Sequence, residues 1–103
     1  MGKREFMSIH VATVDKTATI TLSNTFDFSA VEEFRKAYTE QKAKDYIVDF
    51  RDTEYMDSSG LGMLLNMKRH LEGTADKISL INCRTQIKRI LLISRFEQKF
   101  HIT

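Results

Sequence analysis

The sequence predicts an α/β domain, a mixed sheet of four or five strands with helices packed against it. Three observations carry this expectation. Two short stretches, 8–14 and 17–22, alternate apolar and polar residues across a two-residue gap. Three later stretches repeat apolar residues at helical spacing, and short apolar strands fall between them. Strand–helix–strand order favours right-handed crossovers and parallel pairing, while the opening hairpin adds an antiparallel edge. A chain of 103 residues makes one domain, and 42% hydrophobic with 29% charged residues and no proline excludes a disordered or low-complexity chain.

In the first strand, Ile9, Val11 and Val14 alternate with His10 and Thr13. Asp15-Lys16 supplies the tight turn, and Thr17 to Leu22 return as the second strand. Residues 1–7 show no periodicity and are expected to be an N-terminal extension or an expression remnant, with Met7 an alternative start and the domain spanning 8–103. The first ten residues are charged but lack a following apolar segment, so they do not read as a secretory signal.

Ser29-Ala-Val-Glu32 has the form of a capping box, in which the serine accepts from a backbone N–H and the glutamate reaches back. Val31, Phe34, Ala37 and Tyr38 then predict a helix to about Lys42. Tyr46 to Phe50, mostly apolar, reads as a strand in the middle of the sheet. Leu61, Leu64, Leu65 and Leu71 mark a second helix from Gly60 to Leu71, stopped near Gly73. Lys77 to Ile81 predict a further strand, and Ile87, Ile90, Leu91 and Ser94 line a third helix. Phe96, Phe100 and Ile102 close the tail against the core.

Composition removes several function classes. The single cysteine, Cys83, allows no disulfide within the chain and no cysteine-rich zinc site; it suggests a reducing compartment and, following a strand, reads as buried rather than reactive. No apolar run approaches the ~20 residues that span a bilayer, so no membrane association is expected. A net charge of +2 is too mild for a nucleic-acid surface. Lys88, Arg89, Arg95 and Lys99 fall at helix-like intervals beside apolar residues, as on a solvated helix face. Ser58 and Ser59 do not sit in Gly-x-Ser-x-Gly, since Met56 and Asp57 stand where that elbow needs its first glycine. His10, His70 and His101 are scattered. The expectation is therefore no enzyme, no catalytic residues, no metal ligands and no cofactor.

The densest local signal is Tyr55-Met-Asp-Ser-Ser-Gly-Leu-Gly62, between the third strand and the second helix. Asp57, Ser58 and Ser59 thus stand at a helix N-terminus, where free N–H groups and the helix dipole accommodate an anion, including a phosphate on serine. Simple capping explains one such side chain, and close helix–sheet approach explains Gly60 and Gly62. Two small hydroxyls and a carboxylate together exceed what one cap requires.

The segment Val48 to Met63, and above all its Asp-Ser-Ser-Gly-Leu-Gly core, closely resembles the signature of STAS domains of the anti-sigma-factor-antagonist type. The resemblance extends to Phe26-Asp-Phe-Ser-Ala30, Asn82-Cys83 and the tail Ile90 to Phe96. It implies a small cytoplasmic bacterial switch, monomeric and without an activity of its own. Ser58 is then phosphorylated by a serine protein kinase, often the anti-sigma factor, and restored by a metal-dependent serine phosphatase. The unphosphorylated form binds its target and the phosphorylated form releases it. Phe-Asp-Phe, Tyr-Met-Asp-Ser-Ser, Asn-Cys and the final Phe-x-x-x-Phe-x-Ile are closer to a proteobacterial branch, which implies control of biofilm formation or motility through a response regulator carrying kinase or phosphatase domains. The rival expectation is a STAS module used constitutively as a subunit or ligand sensor.

By the same resemblance Asp27 is the acidic residue of the loop near the serine, and Asp57 orients the serine hydroxyl. Asp27, Asp57, Ser59, Gly60, Met63 and Met67 form the expected phosphosite surroundings and partner face. Met63 and Met67 flank the apolar stripe, as core edge or, where exposed, as adaptable docking side chains fringed by Lys68 and Arg69. Two positions depart from the family pattern. Asn24 replaces a glycine before the loop aspartate and is expected to hold a left-handed turn; Ser94-Arg-Phe96 replaces Ser-Gly-Leu at the last helix end.

Overall fold

The structure, a computed structural model, describes residues 9–103, so the expected extension 1–7 and Ser8 lie outside the described residues. Strands β1 (His10–Val14) and β2 (Thr17–Thr21) form the antiparallel hairpin, turned at Asp15 in the left-handed conformation (φ 57°) that aspartate tolerates. The short strand β3 (Thr25–Phe26) follows, then a single 3-10 turn, Phe28–Ala30, leading into α1 (Val31–Thr39). Next come β4 (Asp45–Asp49), β5 (Tyr55–Met56), α2 (Ser58–Leu71), β6 (Lys77–Ile81), α3 (Thr85–Ile93) and β7 (His101–Ile102).

The main sheet has five strands in the order β1-β2-β4-β6-β7, parallel from β2 onward. A mixed five-stranded α/β sheet is thus the observed architecture. Its register aligns Ala18 with Tyr46 and Ile78, and Ile20 with Val48, Leu80 and Ile102. Side chains alternate faces along a strand, so these rows share one face. Ala18, Ile20, Tyr46, Val48 and Leu80 are buried there with Phe34, Tyr38, Leu64, Met67, Ile87 and Leu91 of the helices in one core. The hairpin alternation predicts burial on both strands, yet β2 buries Ala18 and Ile20 while every residue of β1 is exposed. β1 is the sheet edge: Val11 only borders α1 beside Glu33, Lys36 and Ala37, and Val14 is largely exposed.

Several boundaries differ from expectation. The capping box does not form: α1 has Ala30 at its N-cap without a side-chain bond, and Glu32 pairs instead with Arg35 at 2.8 Å. A 3-10 turn before α1 moves Ser29 off the cap, and Asp27 caps that turn. α1 ends at Thr39 rather than Lys42, because the Lys44 and Asp45 N–H groups turn back to the Lys16 carbonyl. The tail contributes a fifth strand as well as buried Phe96 and Phe100. The glycine absent from the last helix end is replaced by Arg95 itself in the left-handed conformation (φ 61°).

Candidate functional site

Two short parallel strands build the site. β3 pairs with β5, aligning Thr25 with Tyr55 and Phe26 with Met56. One residue beyond each strand stands an aspartate, and each begins a helical segment in the same way. The Asp27 carboxylate accepts from the Ser29 N–H at 3.0 Å and the Ser29 hydroxyl at 2.6 Å. The Asp57 carboxylate accepts from the Ser59 N–H at 3.0 Å and from the Ser59 hydroxyl. Each aspartate carbonyl also accepts the N–H three residues on, from Ala30 and Gly60. The duplicated Asp-x-Ser thus forms twin caps side by side, and the middle residues, Phe28 and Ser58, both face outward and are exposed.

Ser58 is the first residue of α2, a helix of 14 residues, and its hydroxyl has no hydrogen-bond partner among the described residues. The expectation that Asp57 orients this hydroxyl is corrected: the carboxylate is engaged by Ser59, whose N–H and hydroxyl both donate to it. The Ser59 hydroxyl bond holds the Asp57 carboxyl below its ordinary value; partial burial opposes this, and the Ser59 and Gly60 N–H groups add to it. Asp57 is therefore ionised at neutral pH.

Gly60 lies where α2 crosses the two short strands. A Cβ there would stand 2.6 Å from Met56 Cγ and 3.0 Å from both Phe26 Cδ2 and the Phe26 carbonyl oxygen. Close approach is thus the role of Gly60, and it fixes Ser58 against the β3–β5 pair. Gly62 meets nothing within 4 Å and leaves the exposed helix surface one turn below Ser58 without a side chain. Met63 and Met67, expected as a docking face, are instead core residues at 5% and 0% exposure. They follow Leu64 and Leu71 around the buried stripe of α2, so neither presents its side chain to a partner.

The platform beneath the site is stitched by backbone groups. The Asn24 carbonyl accepts from the N–H groups of Glu54 and Tyr55, and the buried Thr53 hydroxyl donates to the Ser23 carbonyl at 2.8 Å. Asn24 serves through this carbonyl and is not left-handed, which corrects the expectation for that turn. Behind it, buried Asp49 accepts from the Arg51 N–H and guanidinium at 2.8–3.0 Å and from the Asn82 amide at 3.0 Å. Burial alone would push the Asp49 carboxyl up; the bonds from Arg51 and Asn82 outweigh it and hold the group below its ordinary value. Sequence reasoning passed over Phe28, Thr53 and Tyr55. The repeated Asp-x-Ser, at 27–29 and 57–59, was the available signal for Phe28.

Among the described residues no group of three or more His, Cys, Asp or Glu side chains is arranged to hold a metal ion, and no helix is long and apolar enough to cross a membrane.

The family model described as "Mlab, STAS domain" matches residues 9–102. A "STAS-domain containing protein" of Pseudomonas aeruginosa is 45% identical over 87 residues, covering 82% of this chain and 86% of that protein. The anti-sigma factor antagonist SpoIIAA in its unphosphorylated form superposes with a TM-score of 0.72 at 26% identity, covering 93% of this chain and 87% of that one. The Bacillus cell fate determinant SpoIIAA in its phosphorylated form gives 0.70 at 25% identity, over 93% and 91%. With its mixed five-stranded sheet, the strand-to-helix Asp-Ser-Ser-Gly motif and these matches across nearly its whole length, this chain belongs to the STAS domain family.

Proposed function

We propose that the protein is a partner switch of the anti-sigma-factor-antagonist type, controlled by phosphorylation of Ser58. The unphosphorylated form binds a kinase of the anti-sigma type or a response-regulator partner, and the phosphorylated form lets it go. A metal-dependent serine phosphatase resets the switch, and the protein itself catalyses nothing. The observation that carries this reading is the exposed Ser58 hydroxyl, without a hydrogen-bond partner among the described residues, at the first position of a long helix. The similarity to both phosphorylation states of SpoIIAA supports it.

The chemistry fits a switch. A phosphate adds about 1.5 to 2 negative charges at neutral pH. The positive end of the α2 dipole makes that charge tolerable to the fold. Its neighbours Asp57 and Asp27 add like charge, so a partner surface shaped to the bare serine would have to bury it among carboxylates. The fold survives while the interface fails.

The test begins with the intact mass of the wild type and of Ser58→Ala isolated from native cells. The expected result is a fraction heavier by one phosphate in the wild type and absent in the variant. Ser58→Ala then retains a partner in pull-down that Ser58→Asp does not. Absence of a phosphorylated form under every growth condition would leave a constitutive STAS interaction module as the function.

A further inference from the structure

The five-stranded sheet ends in β1 on one side and β7 on the other. β7 is two residues long, and so short an edge offers little backbone to pair with. β1 runs five residues in unbroken register with β2, without a bulge, and all five are exposed. Its sequence, His-Val-Ala-Thr-Val, holds no proline and no Lys, Arg, Asp or Glu. Edge strands are ordinarily blunted by a charge, a proline or a bulge, and β1 has none of these.

The hairpin decides which backbone groups of β1 are free. A loop of two residues, Asp15-Lys16, makes Val14 and Thr17 a pair that exchanges both its hydrogen bonds. Such pairs alternate along an antiparallel ladder, so His10, Ala12 and Val14 aim their N–H and C=O groups at β2. Val11 and Thr13 aim theirs out of the sheet, and these groups have no partner among the described residues. The Ile9 N–H, next on that outer side, is already given to the Glu33 carboxylate of α1 at 3.3 Å.

We propose that β1 pairs antiparallel with β1 of a second copy of this chain, about a two-fold axis at Ala12. The proposal does not depend on Ser58, and it departs from the monomer that the family resemblance implies. Around this axis Val11 of each copy faces Thr13 of the other. Both are outward residues, so the two pairs make four hydrogen bonds and satisfy every free group of Val11 and Thr13. An axis at Val11 would set Thr13 against Ile9, whose N–H is taken. An axis at Thr13 would set Val11 against Asp15 in the turn. The self-fit about one axis is what favours a second copy over the strand of another protein.

The charges beside the edge suit the same axis. Glu33 holds Ile9 and Gln41 holds the Thr13 hydroxyl at 2.6 Å, so α1 runs alongside β1 in the same direction. Lys36 and Glu40, both exposed, border the edge between those two contacts. A two-fold at Ala12 reverses their order and brings the lysine of each copy toward the glutamate of the other.

The test uses the full chain in sedimentation equilibrium from about 10 μM to 1 mM. The wild type is expected to move from 12.0 kDa toward twice that mass, and Val11→Lys to stay at 12.0 kDa. Ile93→Lys, at a 75% exposed position on α3, should follow the wild type. Disulfide formation in a Cys83→Ser background reads the register. Ala12 meets its own counterpart across the axis in a non-hydrogen-bonded pair, with Cα atoms about 4.5 Å apart and within disulfide reach. Two Val14 residues would stand four positions apart along the paired strands, about 13 Å and out of reach. Ala12→Cys should therefore oxidise to a covalent dimer at least ~10-fold faster than Val14→Cys. If Val11→Lys melts below the wild type, the two cysteine variants decide. A dimer that a stably folded Val11→Lys leaves intact, or equal oxidation of the two cysteines, overturns the proposal. A wild type that stays at 12.0 kDa throughout also overturns it, and leaves the edge to a strand of another protein.

Discussion

Gly60→Ala and Gly62→Ala make the same chemical change two residues apart on one helix, and the structure assigns them opposite signs. At Gly60 the new methyl would stand 2.6 Å from Met56 Cγ and 3.0 Å from the Phe26 carbonyl oxygen. Carbon atoms rest about 3.5–4.0 Å apart, so the overlap approaches 1 Å. Neither neighbour yields easily, since Met56 and Phe26 are 3% and 0% exposed and the carbonyl belongs to the β3 backbone. Overpacking of this kind costs roughly 1–3 kcal/mol, against a helix-propensity gain of about 1 kcal/mol. The expected net effect is a loss of up to about 2 kcal/mol. At Gly62 nothing lies within 4 Å, so only the propensity gain of about 1 kcal/mol remains. Urea unfolding of the three proteins reads the difference directly, and in a domain of this size the two variants should melt on the order of 10 °C apart. A Gly60→Ala protein as stable as Gly62→Ala would refute the close crossing of α2 over the β3–β5 pair, and with it the placement of Ser58.

Arg95 holds a left-handed backbone (φ 61°) after α3. Arg95→Gly relieves about 1–2 kcal/mol of that conformation while loosening the unfolded chain, so a gain of about 0.5–1 kcal/mol is expected in the urea midpoint at unchanged slope. Asp49 has its folded pKa depressed below the ordinary 3.8. Its contribution is therefore fully present above that value and lost as pH falls below it toward the folded pKa. Asp49→Asn should lower stability at pH 7 by about 1–3 kcal/mol and flatten the decline below pH ~4. An equally steep acid decline in the variant would assign it to other carboxylates. Burial pushes the Cys83 thiol from 9.0 up to about 11, outweighing the favourable charge of Lys88. At pH 7.5 thiolate is then about 100-fold scarcer than in the ordinary thiol, and alkylation should run slower by about that factor than after unfolding. Equal rates in folded and unfolded protein would contradict that burial.

Much of the fold was written in local pattern. The spacing of Leu61, Leu64 and Leu71 marks α2 whatever surrounds it, because a 3.6-residue period gives one buried stripe. Asp15-Lys16 between two alternating stretches marks the hairpin for the same kind of reason. The strands β3, β5 and β7 left no such trace, since two residues carry no period. The capping box at Ser29–Glu32 is a sound local motif that lost to a better one. Asp27 caps first, and the 3-10 turn it starts shifts the entrance of α1 by a residue. Met63 and Met67 were ambiguous because a helix stripe has edges, and only the packing of α2 on the sheet turned both inward.

The Asp57-Ser58-Ser59-Gly60 motif was legible as a strand-to-helix cap with a serine free to be modified, because capping is chemistry between residues two and three apart. Which serine is free does not follow from capping chemistry; only the family resemblance pointed to Ser58. Ser58 and Ser59 are the same side chain, and only the folded backbone gives Ser59 to Asp57 and leaves Ser58 exposed. Nor did the sequence place the Asp27 cap beside the Asp57 cap, since thirty residues separate them and a parallel pairing two residues long joins them. Short-range forces fixed the elements and the cap. The neighbourhood of the serine is a long-range product, decided by how the β3–β5 pair lets α2 cross at Gly60.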